Sequence, residues 1–206
     1  MYIYDTFFSE RKKRLILSNI IYLKGEKMTI NNMNRGGCVD VFHSYILKNV
    51  KYAGEFDFPV IRGLNVVPRK MIVFSKALRE KKDFHQWVCF YEDDYKFERI
   101  WNNPKKYINC LKKFDGVVSP DFSLFYDMPF AMQIWNIFRS RTIAALFQKE
   151  GIKVLPNIRF GDERTFEVCC QGISKHSTIV IGSLGCLKEK NTEKYLKRGF
   201  YMFQKY

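Results

Sequence analysis

Short apolar runs alternate with longer amphipathic segments along most of the chain. The clearest runs are rich in β-branched and aromatic residues and predict strands at Gln86–Tyr91, Gly116–Ser119, Lys153–Asn157 and Ser177–Ile181. Two weaker runs, at Pro59–Ile61 and Met71–Phe74, predict further strands. The four clear strands have markers spaced by 29, 37 and 25 residues, namely Val88, Val117, Val154 and Ile179. These intervals leave room for a crossover helix each time, as parallel strands require.

The segments between these runs carry helix signals. The longest predicted helix spans Met128–Glu150, with Asp127 as its N-terminal cap, Pro129 in its first turn and Gly151 as its left-handed exit. Shorter helices are predicted at Asp94–Asn102, Pro104–Phe114, Asp162–Gln171 and Glu189–Phe203. We therefore expect an α/β domain of parallel βα repeats. The pattern leaves two arrangements open, a partial (βα) barrel and an open doubly wound sheet.

Composition narrows the class of protein. The 206 residues include 35 Lys and Arg against 21 Asp and Glu, a net charge of +14, and 17% are aromatic. This aromatic content excludes an intrinsically disordered chain. No apolar run approaches the roughly 20 residues that a membrane-spanning helix needs. We expect one α/β domain over residues 58–206, preceded by a helical or loop segment at 28–57 and a basic extension at 1–27.

The two ends of the sequence bear on where translation starts and on whether the domain is truncated. Lys24-Gly25-Glu26 can be encoded by a purine-rich ribosome-binding sequence just before the codon of Met28. Residues 1–27 are therefore either a translated leader or a basic amphipathic arm. At the other end the sequence stops directly after a predicted helix, which predicts that the domain lacks a final strand.

The six cysteines show no C-x-x-C pair and no zinc-finger spacing. The first residues place their basic cluster after the apolar ones, the reverse of a secretory signal. We therefore expect reduced cysteines and a cytoplasmic protein. The three histidines form no Ser–His–Asp or Cys–His set in the predicted fold, which disfavours nucleophilic catalysis.

Acidic residues follow several of the predicted strands, where ligands bind in parallel α/β folds. Asp93, Asp121 and Asp162 are the candidate metal ligands and catalytic carboxylates, for Mg²⁺ or Mn²⁺ acting on a phosphate-containing substrate. A structural interpretation competes for each carboxylate. Asp94 and Asp162 are also suited to capping a helix, and Asp121 to closing a turn after Pro120.

Basic and glycine residues at the same edge are the candidate phosphate-binding groups. Arg159 and Arg164 follow the third clear strand, and Gly182 and Gly185 follow the fourth. A tight turn is the competing interpretation of these glycines, because the loop lacks the Lys-Ser/Thr of a P-loop. The remaining basic excess is dispersed among aromatic residues, which fits either a nucleic-acid surface or a solvated helix face.

From about Phe58 onward the chain resembles the uncharacterised phage and mobile-element family called domain of unknown function 4417. The residues that carry the resemblance are Asp93–Pro104, Ser119–Leu124, Asp127–Pro129, Met132–Asn136, Gly161–Arg164, Gly172–Lys175 and Gly182–Cys186. The resemblance implies a phage or bacterial cytoplasmic origin and no particular reaction. It also implies a further strand that this sequence lacks, in agreement with the expected truncation.

Three functions remain open. The first is an α/β protein that acts on or binds a nucleotide or nucleic acid and holds a divalent metal ion with its carboxylates. Whether it is an enzyme is left open. The second is a non-catalytic binder of nucleic acid or of a host protein, with no membrane partner. The third is a truncated remnant without function.

Overall fold

The computed structural model describes residues 40–183 and 190–204; the predicted extension at 1–27 lies outside them. The strands are β1 (Tyr52–Ala53), β2 (Phe58–Pro59), β3 (Met71–Val73), β4 (Trp87–Cys89), β5 (Gly116–Val118), β6 (Val154–Leu155), β7 (Asn157–Ile158) and β8 (Val180–Ile181). The α-helices are Ser44–Leu47, Phe74–Ala77, Asp94–Phe97, Arg99–Asn102, Ile108–Leu111, Phe130–Lys149 and Lys190–Gln204. Single 3₁₀ turns lie at Pro104–Tyr107, Glu163–Thr165 and Val168–Cys170.

Four strands form a parallel sheet in the order β3-β4-β5-β6, which is their order along the chain. Trp87 pairs with Met71 on one side and with Gly116 on the other, and Val117 pairs with Val154. Every residue of β4 and β5 is buried, as expected for parallel strands that are covered on both faces. The predicted α/β class with parallel strands is confirmed, although each strand is shorter than its apolar run.

A proline divides the predicted strand Lys153–Asn157 into two. Pro156 has no amide hydrogen to donate to a neighbouring strand, so β6 ends before it and β7 begins after it. Whereas β6 pairs with β5, β7 pairs in parallel with β8. The change of partner places the carboxyl ends of β5, β7 and β8 near one another.

The weak strand predicted at Pro59–Ile61 lies outside the parallel sheet. The structure has β2 at Phe58–Pro59, which pairs antiparallel with β1. Ile61 then forms a single parallel bridge with Ile173.

Most of the predicted short helices are broken into single turns. The predicted helix Asp94–Asn102 is divided into two four-residue helices, and Pro104 starts a 3₁₀ turn after it. The helix predicted at Asp162–Gln171 was wrong, because the structure has two 3₁₀ turns there. The Thr165 hydroxyl donates to the Asp162 carbonyl at 3.0 Å and accepts from the Gly161 amide at 3.0 Å. Such local side-chain bonds compete with the backbone bonds of an α-helix.

The long helix runs from Phe130 to Lys149, close to its predicted bounds. The cap predicted at Asp127 was wrong. Pro129 precedes the first helical residue in an extended conformation, and no side chain caps the helix. The predicted left-handed exit at Gly151 is confirmed by its φ of 81°.

The long helix is buried on more than one side. Ile143, Ala144 and Phe147 join the large core cluster with sheet residues such as Val117. Ile137 instead joins a second cluster, which includes Phe58 of β2. The buried surface of this helix is therefore not purely apolar, since its polar residues from Gln133 to Thr142 are buried as well.

The opposite face of the sheet carries a smaller apolar cluster, formed by Trp87, Cys89, Val118 and Leu155. Cys89 is therefore a core residue. Among the described residues, no helix is both long and apolar enough to cross a bilayer.

Candidate functional site

Three polar side chains form a hydrogen-bonded chain at the carboxyl edge of the sheet. The Tyr91 hydroxyl, beyond the end of β4, donates to Asn157 Oδ1 at 2.9 Å. Asn157 Nδ2 in turn donates to Asp121 Oδ1 at 2.7 Å. Asn157 is the first residue of β7, and Asp121 follows the end of β5. Side chains that are 36 and 66 residues apart in sequence thus meet at one edge.

Arg159 extends this chain with a positive charge. Its Nη1 lies 3.7 Å from Asp121 Oδ2, and the two side chains are only 12% and 8% exposed. The same nitrogen donates to the carbonyl of Gly182, just after β8, at 3.3 Å. We call Tyr91, Asp121, Asn157 and Arg159 the edge cluster. It contains both charge signs and links residues at the ends of β4, β5, β7 and β8.

Two serines hold the backbone beneath the edge cluster. The Ser119 hydroxyl, at the end of β5, accepts from the Asn157 amide at 2.8 Å. Ser140 of the long helix donates to the Pro120 carbonyl at 2.7 Å. The segment that carries Asp121 is therefore fixed to both β7 and the long helix, which restricts the orientation of its carboxylate.

The protonation of the edge cluster follows from its burial. Burial raises the pKa of Asp121, while the charge of Arg159 and the hydrogen bond from Asn157 act in the opposite direction. Burial also raises the pKa of Tyr91, and the Asp121 charge adds to this effect. Tyr91 therefore remains a protonated donor at neutral pH. A buried carboxylate with a raised pKa is a common feature of functional sites, although structural networks produce it too.

Asp93 lies on the surface, with its own partner. Its carboxylate is 65% exposed and pairs with Lys96 Nζ at 2.8 Å. The neighbouring Asp94 turns away from its own helix, since its carboxylate accepts from the amide and the hydroxyl of Ser123 at 3.1 and 2.7 Å. Asp94 therefore fastens the loop after β5 and does not cap its helix.

Asp162 is paired with Arg164, the second predicted phosphate contact. Its carboxylate accepts from the Arg164 amide and Nε at 2.9 and 3.0 Å, and from Gln133 Nε2 at 3.3 Å. Burial opposes its ionisation, but the bonds from Arg164 outweigh it and lower the pKa of Asp162. The capping interpretation of Asp162 is confirmed, because this residue caps the 3₁₀ turn that follows.

The three predicted metal ligands thus have separate sets of partners. In the part of the chain that the structure describes, no three His, Cys, Asp or Glu side chains are placed to hold one metal ion. Joint ligation by Asp93, Asp121 and Asp162 stays a prediction. Of the glycines, Gly182 reaches the edge cluster through its carbonyl, and Gly185 lies outside the described residues.

Sequence reasoning assigned no role to Tyr91 or Asn157. Both follow predicted strand cores, so their position at the edge was readable from the sequence. Their pairing was not, because it depends on the division of the strand at Pro156 and on the register between strands.

Comparison with known proteins places this parallel α/β fold in a family. The model of the Domain of unknown function (DUF4417) family matches residues 50–205, and the chain belongs to that family. It is similar to the Gene 1 protein of Mycobacterium phage L5, with 38% identity over 151 residues, and to the Gene 1 protein of Mycobacterium phage D29, with 36% identity over 149 residues.

Each alignment covers 71% of this chain, but 65% of the L5 protein and 55% of the D29 protein. The chain thus spans less than two thirds of the length of these phage relatives. The predicted relationship to phage proteins is confirmed. No solved structure matches the chain.

Proposed function

We propose that this chain binds a phosphate-containing ligand, a nucleotide or a nucleic-acid phosphate, at the carboxyl edge of its parallel sheet. Arg159 is the proposed phosphate contact. The observation that carries the proposal is its position, in a largely buried cluster where residues at the ends of four strands meet. Parallel α/β proteins bind their ligands at this edge because the loops there converge. A guanidinium group matches the geometry of phosphate oxygens.

The order of the strands supports a particular arrangement around this site. Consecutive strands are neighbours throughout the sheet, and β8 follows β7 in the same direction. A doubly wound sheet reverses its strand order at a switch point. We therefore favour the partial (βα) barrel over the doubly wound sheet. In a barrel, ligands sit over the carboxyl ends of the strands, where the edge cluster lies.

The edge cluster contributes to binding by restricting the position of the Arg159 side chain before the ligand binds. The distance of 3.7 Å between Asp121 Oδ2 and Arg159 Nη1 is longer than a hydrogen bond, so the two groups attract each other by charge alone. Other contacts therefore set the orientation of the guanidinium group. Asn157, which is itself held by the Tyr91 hydroxyl, donates to the other oxygen of the Asp121 carboxylate. A ligand phosphate then meets a cation whose position is already restricted, which reduces the entropic cost of binding.

The experiment measures binding of ATP, GTP and a short single-stranded DNA by calorimetry and by the thermal shift of the purified chain. Arg159→Gln is expected to weaken the ligand that binds by about 10- to 150-fold, because a charge-assisted hydrogen bond contributes about 1.5–3 kcal/mol. The matched control is Arg69→Gln, which removes an exposed arginine just before β3, at the opposite edge of the sheet. If none of the ligands binds, or if both variants weaken binding equally, the proposal fails.

A divalent ion, Mg²⁺ or Mn²⁺, is proposed to reach this edge together with the phosphates. Mg²⁺ is commonly held by one or two carboxylates plus phosphate oxygens, so it needs no cluster of three acids. Asp121 is the proposed protein ligand. Binding is expected to tighten with Mg²⁺ relative to EDTA, and Asp121→Asn is expected to abolish this difference. If Mg²⁺ tightens binding as much in Asp121→Asn as in the parent chain, Asp121 is rejected as the metal ligand. The role proposed for Arg159 does not depend on this result.

A second candidate function rests on the helix Lys190–Gln204. Lys194, Lys197 and Arg198 line an open groove of about 310 Å³ together with Tyr201, which is 67% exposed. Cations beside an exposed aromatic ring suit the backbone and bases of single-stranded nucleic acid. Glu193 and Glu163 each pair with one of these cations, which reduces the local charge.

This second function has a different signature. We expect nucleic-acid affinity that falls steeply with salt, is reduced by Lys194→Glu and is unchanged by Arg159→Gln. The opposite pattern, sensitivity to Arg159→Gln with none to Lys194→Glu, assigns binding to the edge cluster. The absence of any binding to DNA or RNA in this assay rejects this second function.

A further inference from the structure

Arg141 is a buried cation without an acidic partner in residues 40–183 and 190–204. It lies in the middle of the long helix and is 2% exposed. Its Nη1 donates to the Asn157 carbonyl at 3.3 Å and its Nη2 to the Cys169 carbonyl, while its Nε has no hydrogen-bond partner among the described residues. Burial lowers the pKa of Arg141 to about 10, so the guanidinium group still carries its charge at neutral pH. The carbonyl groups supply hydrogen bonds but no net negative charge.

A cavity of about 10 Å³ lies beside this side chain, between the long helix and the edge cluster. Its polar lining is Asn136, Ser140 and Arg141 from the long helix, with Asn157 and Arg159 from the edge cluster; the rest of the lining is apolar. None of the described residues that line it is acidic. The volume is about what one water molecule needs, and a halide ion is only slightly larger. A phosphate group is too large for it.

The other polar side chains of the lining have partners of their own. Asn136 Nδ2, Asn157 Nδ2 and Ser140 Oγ each donate to another group of the chain, at 2.7 Å. Arg159 is paired with the carboxylate of the edge cluster. The charge to be balanced beside the cavity is therefore that of Arg141.

Buried charges are normally paired, because an unbalanced charge in a protein interior is costly. A water molecule in the cavity satisfies a hydrogen bond but does not balance a charge, and a metal cation is repelled by the guanidinium groups. We propose that the cavity is an anion site that takes one chloride ion, bound by the Nε–H of Arg141. This inference goes beyond the phosphate site proposed above and does not depend on it.

The first test compares two salts on the purified chain. Thermal unfolding is measured in increasing sodium chloride, with sodium gluconate added to keep the ionic strength constant, because gluconate is too large for the cavity. The melting temperature is expected to rise with chloride by about 3–6 °C at ten times the dissociation constant. Equal melting temperatures at all chloride concentrations overturn the proposal.

Two matched variants locate the effect. Arg141→Met, which removes the charge and keeps most of the length, is expected to abolish the dependence on chloride. Arg69→Met makes the same change at an exposed arginine and is expected to keep it. A chloride dependence that persists in Arg141→Met rejects the site.

Crystals of the parent chain grown in sodium bromide decide the matter where Arg141→Met does not fold. Bromide replaces chloride and is identified by its anomalous scattering. A bromide peak in the cavity, within about 3.5 Å of Arg141 Nε, is the expected result. A cavity that holds water and gives no bromide signal overturns the proposal.

Discussion

Removal of the Asn157 side chain is the sharpest test of the edge cluster. Asn157 is 3% exposed and bridges the Tyr91 hydroxyl and the Asp121 carboxylate. Asn157→Ala leaves both groups buried without this partner, and each such loss costs about 1–3 kcal/mol. We therefore expect the free energy of unfolding to fall by about 2–6 kcal/mol. This is a large share of the roughly 5–15 kcal/mol that stabilises a typical domain.

Urea unfolding followed by tryptophan fluorescence measures this change. The matched control is Asn65→Ala, an exposed asparagine in the loop before β3, for which we expect a change below about 0.5 kcal/mol. Tyr91→Phe is expected to cost less in the Asn157→Ala background than in the parent, because the two side chains share one hydrogen bond. The bridging role of Asn157 is rejected if Asn157→Ala is as mild as the control, or if the two substitutions are additive.

Three further substitutions test other parts of the structure. The pKa of Asp162 is lowered in the folded chain, so its bonds stabilise the fold above the unfolded value of 3.8 and are lost as pH falls through the folded value. The destabilisation of Asp162→Asn should thus be largest near pH 7 and shrink in acid; a pH-independent cost contradicts this. Gly116→Ala should cost about 1–3 kcal/mol in urea unfolding, because its Cβ would lie 2.4 Å from the Trp87 ring. Asp127→Ala should change stability by less than about 0.5 kcal/mol, since Asp127 does not cap the long helix; a loss near 1 kcal/mol would show that it does.

The positions of the strands and of the long helix were predictable from the sequence. An apolar run such as the one around Val88 has few alternatives to burial, and the same applies to the runs around Val117 and Val154. The lengths of the strands were less predictable. Hydrogen bonding between strands ends where the backbones diverge, and this depends on the neighbouring strand. The start of the long helix was misassigned for a similar reason, because Asp127 is a suitable cap by type but lies two residues too early.

The candidate site was predictable only as a location. Asp121 and Arg159 were correctly placed at the carboxyl edge of the sheet, because residues that follow parallel strands collect there. Their pairing with each other was not predicted. Asp162 has the same residue type and a similar place after a strand, yet it binds Arg164 two residues away. Residue type and position relative to a strand therefore do not distinguish a local cap from a member of the edge cluster.

The amino-acid pattern was enough to predict the alternation of strands and helices, the edge at which polar residues collect, and the family. These properties depend on local patterns of apolar and polar residues, which act over a few neighbouring positions. The packing of the folded chain is what joins Tyr91 to Asp121 through Asn157, and what buries Arg141 against the carbonyl of Cys169. Such contacts require strand register and helix packing to bring distant residues within a few ångströms, and the energies that select them belong to the folded chain as a whole.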